Sequence, residues 1–343
     1  MTYPLIVCPC CRKAVTPTAD WQWACPSCPQ AIRMVNGVPV FAVKSDQLTE
    51  VTAGLLASHR FNAEAPAGDH LAYTSHTLAI CQILKNIIQD SFSESRLREV
   101  TLLDVGGGRG EVAGFFSDTF DSAMIDVDLF SARVALALQE GASRFHVFCG
   151  DCACLPIESH SVDVLIVKET AHHMADTESF FAEIARVVRL DGIVLIVERL
   201  ESVLLNRQRA LANDRMRQLG ATHHHFLLRD LTRPLRKVFA DTRVAHAGST
   251  LFRKAFAKVG LPRIGRWIDR LLARLPVMLS FGATLAGGGT IVLTCRRPVV
   301  GKPLVGPVGS RAELVNYPIE LADVEPMSEA VIKNIRDKQL ELS

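Results

Sequence analysis

The 343-residue chain lacks a charge imbalance: 38 Lys and Arg stand against 36 Asp and Glu, a formal net charge of +2. No global basic field therefore marks it as a nucleic-acid binder. It shows no apolar leader of the exported type, since Met1–Val7 is short and a cysteine cluster opens at Cys8. Its ten cysteines lack the spread of a disulfide frame and sit in tight groups, which predicts a reducing, cytoplasmic setting. One charge-free stretch has the length of a membrane span, Leu275–Thr294. Pro276, Gly282 and the glycines at 287, 288 and 289 interrupt it and argue against a spanning helix. Internal repeats and low-complexity tracts are missing. What is present is a chain of 48% hydrophobic residues, enough for two domains or one large domain with an appendage.

The stretch around which the chain is organised runs from Val100 to Glu111. An apolar run, Val100–Val105, is interrupted by Asp104 and followed by glycine at 106, 107, 108 and 110. The helix-like Glu111–Phe116 comes next, so the pattern predicts strand, tight turn, helix. The N–H groups that open such a helix favour a polar or anionic ligand. The spacing Asp104-x-Gly106-x-Gly108-x-Gly110 is not the G-x-G-x-x-G of dinucleotide binders. On its own it is compatible with a glycine-rich turn of another α/β domain.

An αβ series continues from there. Ser122–Asp128 predicts a second strand ending in Asp126-Val127-Asp128, followed by a helix over Ser131–Glu140. Phe145–Cys149 predicts a third strand, leading into Gly150-Asp151-Cys152-Ala153-Cys154-Leu155-Pro156. Ser161–Val167, with Asp163 near its start, predicts a fourth strand; Lys168, Glu169 and the pair His172-His173 follow. Phe180–Val188 predicts an amphipathic helix, Asp191-Gly192 a turn, and Ile193–Glu198 a fifth strand. Further on, Asn206–Leu219 reads as a basic helix, and Val238–Ala247 and Thr290–Arg296 as the last two strands.

In this order and spacing the motifs resemble the class I S-adenosylmethionine-dependent methyltransferases. The resemblance implies an α/β, Rossmann-like seven-stranded sheet with a helical lid insertion. It implies that Gly106, Gly108 and Gly110 approach the amino-acid end of S-adenosylmethionine, with Asp104 fixing the turn or reaching the ammonium group through water. It places Asp126 on the ribose, with Asp128 as the alternative, and Asp151 and the backbone N–H of Cys152 on the adenine. Lys168 and Glu169 would line the cofactor. His173 or His172 would hold the loop or act as a base. Two departures stand out: Asp191-Gly192 replaces Pro-Gly-Gly, and Thr222 or His223 stands where the family has an acid before a histidine.

The N-terminal segment, residues 1–45, carries two C-x-x-C knuckles, Cys8 with Cys11 and Cys25 with Cys28, with thirteen residues between them. Four thiolates from two tight corners suit tetrahedral zinc, and a closed set of four is structural rather than catalytic. The segment resembles the zinc ribbons that accompany many methyltransferases. It reads as a separate unit too small for its own core, with metal replacing core. Cys10 is spare, and Cys149, Cys152 and Cys154 read as buried thiols.

Residues 46–99 read as linker and cofactor-covering helices. The loop Ala63–Asp69 precedes a helical stripe at 78, 80, 83, 84, 87 and 88, and Tyr73 and His76 would pack or cover the cofactor. The transferase domain is expected over 100–297, with lid segments at about 200–235 and 249–289. The second lid segment alternates basic and apolar residues. It reads as a lid over the acceptor, an interfacial helix at a membrane surface, or a groove for RNA phosphate. The run His223-His224-His225 would line the acceptor pocket or bind metal, and residues 298–343 form a tail. The expected activity is methyl transfer to a small-molecule acceptor. The alternatives are an RNA base methyltransferase that docks through its ribbon, and a methyltransferase-like binding protein without turnover.

Overall fold

The computed structural model describes residues 6–15, 17, 23–28, 31–35, 37–41, 43–44, 67–126, 131–132, 135–136, 144–174, 176–201, 226–249, 251–257, 259–272, 281–282, 284–286, 288–299 and 314–315. The stretch 206–219, the histidine run, Asp128 and nearly all of the tail lie outside them. Of the expected helix after the second strand, Ser131, Ala132, Ala135 and Leu136 are described, and all four are helical.

Seven strands form the centre: β4 (Thr101–Val105), β5 (Asp121–Asp126), β6 (Phe145–Cys149), β7 (Val162–Lys168), β8 (Val188–Leu200), β9 (Phe239–Ser249) and β10 (Gly289–Pro298). Their order is β6-β5-β4-β7-β8-β10-β9. The pairs from β6 to β8 are parallel, while β10 runs antiparallel to both β8 and β9. This is an α/β Rossmann-like fold with a mixed sheet. The parallel strands are buried on both faces, which explains their nearly unbroken apolar sequences.

Alternate residues of one strand enter different cores. Leu103 and Val105 of β4 pack with Phe180, Phe181 and Ile184 of helix α4 (Thr177–Val187) and Leu231 and Leu235 of α5 (Leu228–Val238). Leu102 instead packs with Ile80, Leu84 and Ile88 of α1 (Ala67–Ser91) and with Val112 and Phe116 of α3 (Glu111–Phe116). Between α1 and β4 lies the single turn α2 (Glu94–Leu97).

Several boundaries differ from the sequence reading. Helix α1 starts at Ala67, inside the expected loop, so Gly68 and Asp69 are helical. Among its described side chains the buried ones are Thr77, Ile80, Cys81, Leu84 and Ile88, which shifts the inward face by part of a turn. The expected Asp191-Gly192 turn is absorbed into β8. Between the pairs Val162↔Val188 and Val164↔Ile193 the register slips, so 189–192 bulge from a continuous strand. Helix α5, whose start falls within the first expected lid segment, is a core helix. The second half of the charge-free stretch is strand β10, and among the described residues no helix is long and apolar enough to cross a membrane.

The N-terminal segment does not stand apart. Its hairpin, β1 (Ile32–Val35) and β2 (Val38–Phe41), joins the sheet through the parallel pair Val40↔Cys149, making nine strands. A short strand β3 (Val43–Lys44) pairs separately with β11 (Leu314–Val315). Trp23 meets the Phe148 ring edge-on at 5.7 Å, and Ile6 bridges to Ile157. The Val7 N–H donates to Pro156 O at 2.9 Å, and Arg12 Nη1 donates to Leu155 O at 2.8 Å. Ile6, Val15, Trp23, Ile32 and Phe41 belong to the same buried cluster as the central strands. Burying this much apolar surface needs a partner, and the edge strand β6 supplies it.

Candidate functional site

The chain turns sharply where β4 ends. Gly106, Gly108 and Gly110 all have positive φ, at 72°, 55° and 75°. A Cβ on Gly106 would fall 2.3 Å from the Thr170 side chain, so glycine is required there twice over. At Gly108 the case differs: among the described residues other than its chain neighbours, no heavy atom lies within 4 Å of where a Cβ would sit. The middle of the turn thus faces open space with bare backbone, the form of a cradle. Gly110 then opens α3.

Three carboxylates surround this turn. Asp104 is 1% exposed and lies beneath it. Burial pushes its carboxyl up to about 7, against the pull of the Lys168 ammonium. Its Oδ2 is buried with no hydrogen-bond partner among the described residues. An orphaned carboxylate oxygen is costly unless something fills the role of donor. Asp126 ends β5, and its Oδ2 accepts the Gly108 N–H at 2.8 Å, tying the second strand to the cradle. Asp151 follows β6; its Oδ1 accepts the Ala153 N–H at 2.7 Å, which shapes the loop. The Cys152 thiol is buried beside this turn. Burial, then the charges of Asp126 and Asp151, raises its pKa well above the ordinary value.

The fourth wall comes from the segment after β7. Lys168 is buried, and the Thr170 hydroxyl donates to Lys168 O at 2.9 Å. Glu169 adopts φ 52°, and its N–H donates to Val197 O at 2.8 Å. His172 Nδ1 lies 2.8 Å from Glu198 Oε2, and its backbone N–H donates to Glu198 Oε1 at 3.4 Å. Burial alone would lower the His172 pKa, but the Glu198 hydrogen bond and charge outweigh it and hold the imidazole above its ordinary value. Burial, followed by the Glu198 charge, raises Glu169. The His173 ring packs against that of His172, tilted by 47° with centroids 4.1 Å apart. The geometry therefore separates two histidines that the sequence leaves equivalent.

Helix α1 closes the site from one side. Cys81 is fully buried and pushed up to about 12, first by burial and then by the Asp104 charge. One turn earlier, the Thr77 hydroxyl is also buried without a partner among the described residues. Sequence reasoning missed Thr77, Cys81, Thr170 and Glu198. The signal for Glu198 was a charge at the end of an apolar strand. Thr77 and Cys81 were hidden in a helical stripe scored for larger apolar residues. Side chains 71–76, including Tyr73 and His76, lie outside the described ones.

The four knuckle cysteines form a second cluster. Their sulfurs lie within 4.8 Å of one another, with Cys11 Sγ 3.6 Å from Cys25 Sγ. Zinc–sulfur bonds of about 2.3 Å in a tetrahedron place sulfurs roughly 3.8 Å apart, so this donor set fits the metal. Cys10 is buried but outside the set. Cys149, Cys152 and Cys154 are buried thiols, and Cys154 receives an Arg12 contact at 3.5 Å.

Comparison with known proteins adds a family. Residues 103–196 match the family model described as methyltransferase domain. An uncharacterized methyltransferase, YcgJ of Bacillus subtilis, is 31% identical over 104 residues, 29% of this chain and 41% of that protein. Phosphoethanolamine N-methyltransferase 2 of Caenorhabditis elegans is 32% identical over 100 residues, 28% of this chain and 23% of that protein. The chain thus spans less than half the length of these curated relatives. Among solved structures, YcgJ is similar with a TM-score of 0.42 and 17% identity, covering 63% of this chain and 98% of that one. Phosphoethanolamine N-methyltransferase 2 of Haemonchus contortus, bound to phosphomonomethylethanolamine and S-adenosylhomocysteine, gives 0.44 and 18%, covering 64% of this chain and 52% of that one.

Proposed function

We propose that residues 103–196, which match a methyltransferase domain, form a class I S-adenosylmethionine-dependent methyltransferase domain and that the chain transfers a methyl group to a small-molecule acceptor. The observation that carries this reading is the bare glycine cradle with three acids around it, one holding an orphaned buried oxygen. This donor and acceptor set fits the cofactor. The backbone at Gly106, Gly108 and Gly110 leaves room for its amino-acid end, and Asp104 answers its ammonium group. Asp126, whose Oδ2 accepts the Gly108 N–H, would accept from the ribose hydroxyls; Asp128 is the alternative. Asp151 and the Cys152 N–H serve the adenine. Lys168 balances the Asp104 charge beneath the turn.

S-adenosylmethionine supplies a methyl group already activated on a sulfonium centre. The residues then have to align an acceptor and manage its proton. Glu198 holds the His172 ring through Nδ1 at 2.8 Å. His172 thereby takes the proton of an O–H or N–H acceptor, and Glu198 stabilises the imidazolium that results. Glu169 adds a second carboxylate to the same corner. His173 packs on the ring and holds the loop.

A small acceptor is supported by the near-neutral net charge of +2 and by the nature of the phosphoethanolamine relative. The knuckle cysteines Cys8, Cys11, Cys25 and Cys28 hold one structural zinc per chain in this reading. Isothermal calorimetry of the full chain with S-adenosylmethionine should show binding at one per chain; no heat, with the protein folded, defeats the reading. A gel shift with RNA at low salt should stay blank, and a salt-dependent shift would move the acceptor to RNA.

A further inference from the structure

Away from the glycine turn and the sulfur cluster, exposed apolar side chains gather in one place. Of seven large ones among the described residues, five are Val259, Leu261, Ile264, Trp267 and Leu271. They belong to the connection between helices α6 (Leu251–Ala257) and α7 (Pro262–Leu272) and to α7 itself. Trp267 is 64% exposed. Ile264, Trp267 and Leu271 stand at i, i+3 and i+7, so they form one ridge.

The ridge cannot simply be rolled inward. The inner face of α7 carries Gly265 and Asp269, both buried, and the Asp269 carboxylate accepts the Phe252 N–H of α6 at 3.1 Å. This bond fixes how α7 is turned. A third stripe, by backbone position, is Arg263, Arg266 and Arg270, again at i, i+3 and i+7 and about 100° round the helix from the ridge. Between Leu251 and Leu272, Asp269 is the only acid, against six Lys and Arg. Among the described side chains of this helical pair the exposed large ones are apolar or Arg263, and the pair's only acid, Asp269, is buried.

We propose that α7 docks the protein on an anionic lipid bilayer. Ile264 and Leu271 enter the acyl boundary, the Trp267 ring sits at headgroup level, and the arginine stripe meets lipid phosphates. RNA would use the arginines but gives the aliphatic ridge nothing to bury against. The inference rests on neither the cofactor site nor methyl transfer.

Co-sedimentation of the full chain with phosphatidylcholine vesicles, with and without phosphatidylglycerol, tests it. Binding is expected to the anionic vesicles only, weakening as salt is raised, with a blue shift of tryptophan emission that Trp267→Phe removes. Ile264→Ser with Trp267→Ser should abolish binding. Each of Arg263→Gln, Arg266→Gln and Arg270→Gln should cost roughly fivefold at low salt. Arg263, Ile264 and Trp267 are exposed, so thermal unfolding should be unchanged in their variants. No binding to anionic vesicles at low salt overturns the proposal. So does binding that none of these substitutions weakens. Self-association that Trp267→Ser breaks would give the ridge to a second copy of the chain, and RNA binding lost in the arginine variants would give the stripe to RNA. Either result, without vesicle binding, also overturns it.

Discussion

Two buried aspartates on neighbouring strands are held in opposite ways. Asp163, at the amino end of β7, accepts from the Thr101 N–H at 3.0 Å, the Thr101 hydroxyl at 2.8 Å and Arg96 Nη2 at 2.7 Å. Asp104, toward the carboxyl end of β4, keeps a buried oxygen with no hydrogen bond among the described residues and a carboxyl pushed up to about 7. At the amino end the charge is satisfied and serves as a clamp between β4, β7 and α2. At the carboxyl end it is left expensive, beneath a turn of left-handed glycines. A chain that spends stability at one end of its sheet and saves it at the other is poised for a ligand at the expensive end. That is also the end where open α/β sheets bind their ligands.

The contrast can be broken most strongly at Asp104. Its folded-state pKa is raised, so the neutral acid is favoured by folding; stability from this group is complete below about pH 4 and is lost as pH rises through about 7. Wild-type protein should lose roughly 1.4 kcal/mol per pH unit across that window relative to Asp104→Asn, up to about 4 kcal/mol. Urea unfolding of both proteins at a series of pH values measures the difference. Parallel pH curves would mean that the acid is not strained. The variant should nonetheless bind S-adenosylmethionine more weakly.

Asp163→Ala should do the reverse. Removing the clamp takes the carboxylate from the buried Thr101 N–H and leaves its hydroxyl only Ser161 O at 3.5 Å and Arg96 only Asp191 at 3.6 Å. We expect a loss of about 3 kcal/mol in unfolding free energy. Cofactor affinity of the folded fraction should be unchanged; a large drop in affinity would erase the distinction between the two ends. The smallest effect is expected at Asp126→Ala, where calorimetry should show cofactor binding weakened by about 1–3 kcal/mol. If Asp128→Ala weakens it and Asp126→Ala does not, the ribose belongs to Asp128.

The legibility of the sequence follows the same division. The strands were readable because burial on both faces writes long apolar runs, and the cradle because left-handed turns admit few residues besides glycine. Asp126, Asp151 and Lys168 were expected from the resemblance, and the structure has them at or just past the ends of β5, β6 and β7. What escaped is what depends on partners distant in sequence. Asp163 reads as one mark in a familiar order, yet its partners are Arg96 and Thr101. The preference between His172 and His173 comes from Glu198, twenty-six residues on. The N-terminal segment reads as a free-standing ribbon because its cysteines are local, while its apolar partners Phe148, Pro156 and Ile157 are far away in sequence.

The joint between β2 and β6 carries a consequence for how the chain is made. Val40 leaves the ribosome well before Cys149, its partner across the joint, some hundred residues later. Through that interval the hairpin has no sheet to join, and Trp23 and Phe41 have no Phe148 to cover them. Closing so long a loop is slow to find, although its entropy grows only with the logarithm of length. Four thiols gathered in one corner give the hairpin a local way to keep its shape while it waits. Synthesis under zinc limitation should therefore lower the yield of folded chain more than later chelation lowers its stability.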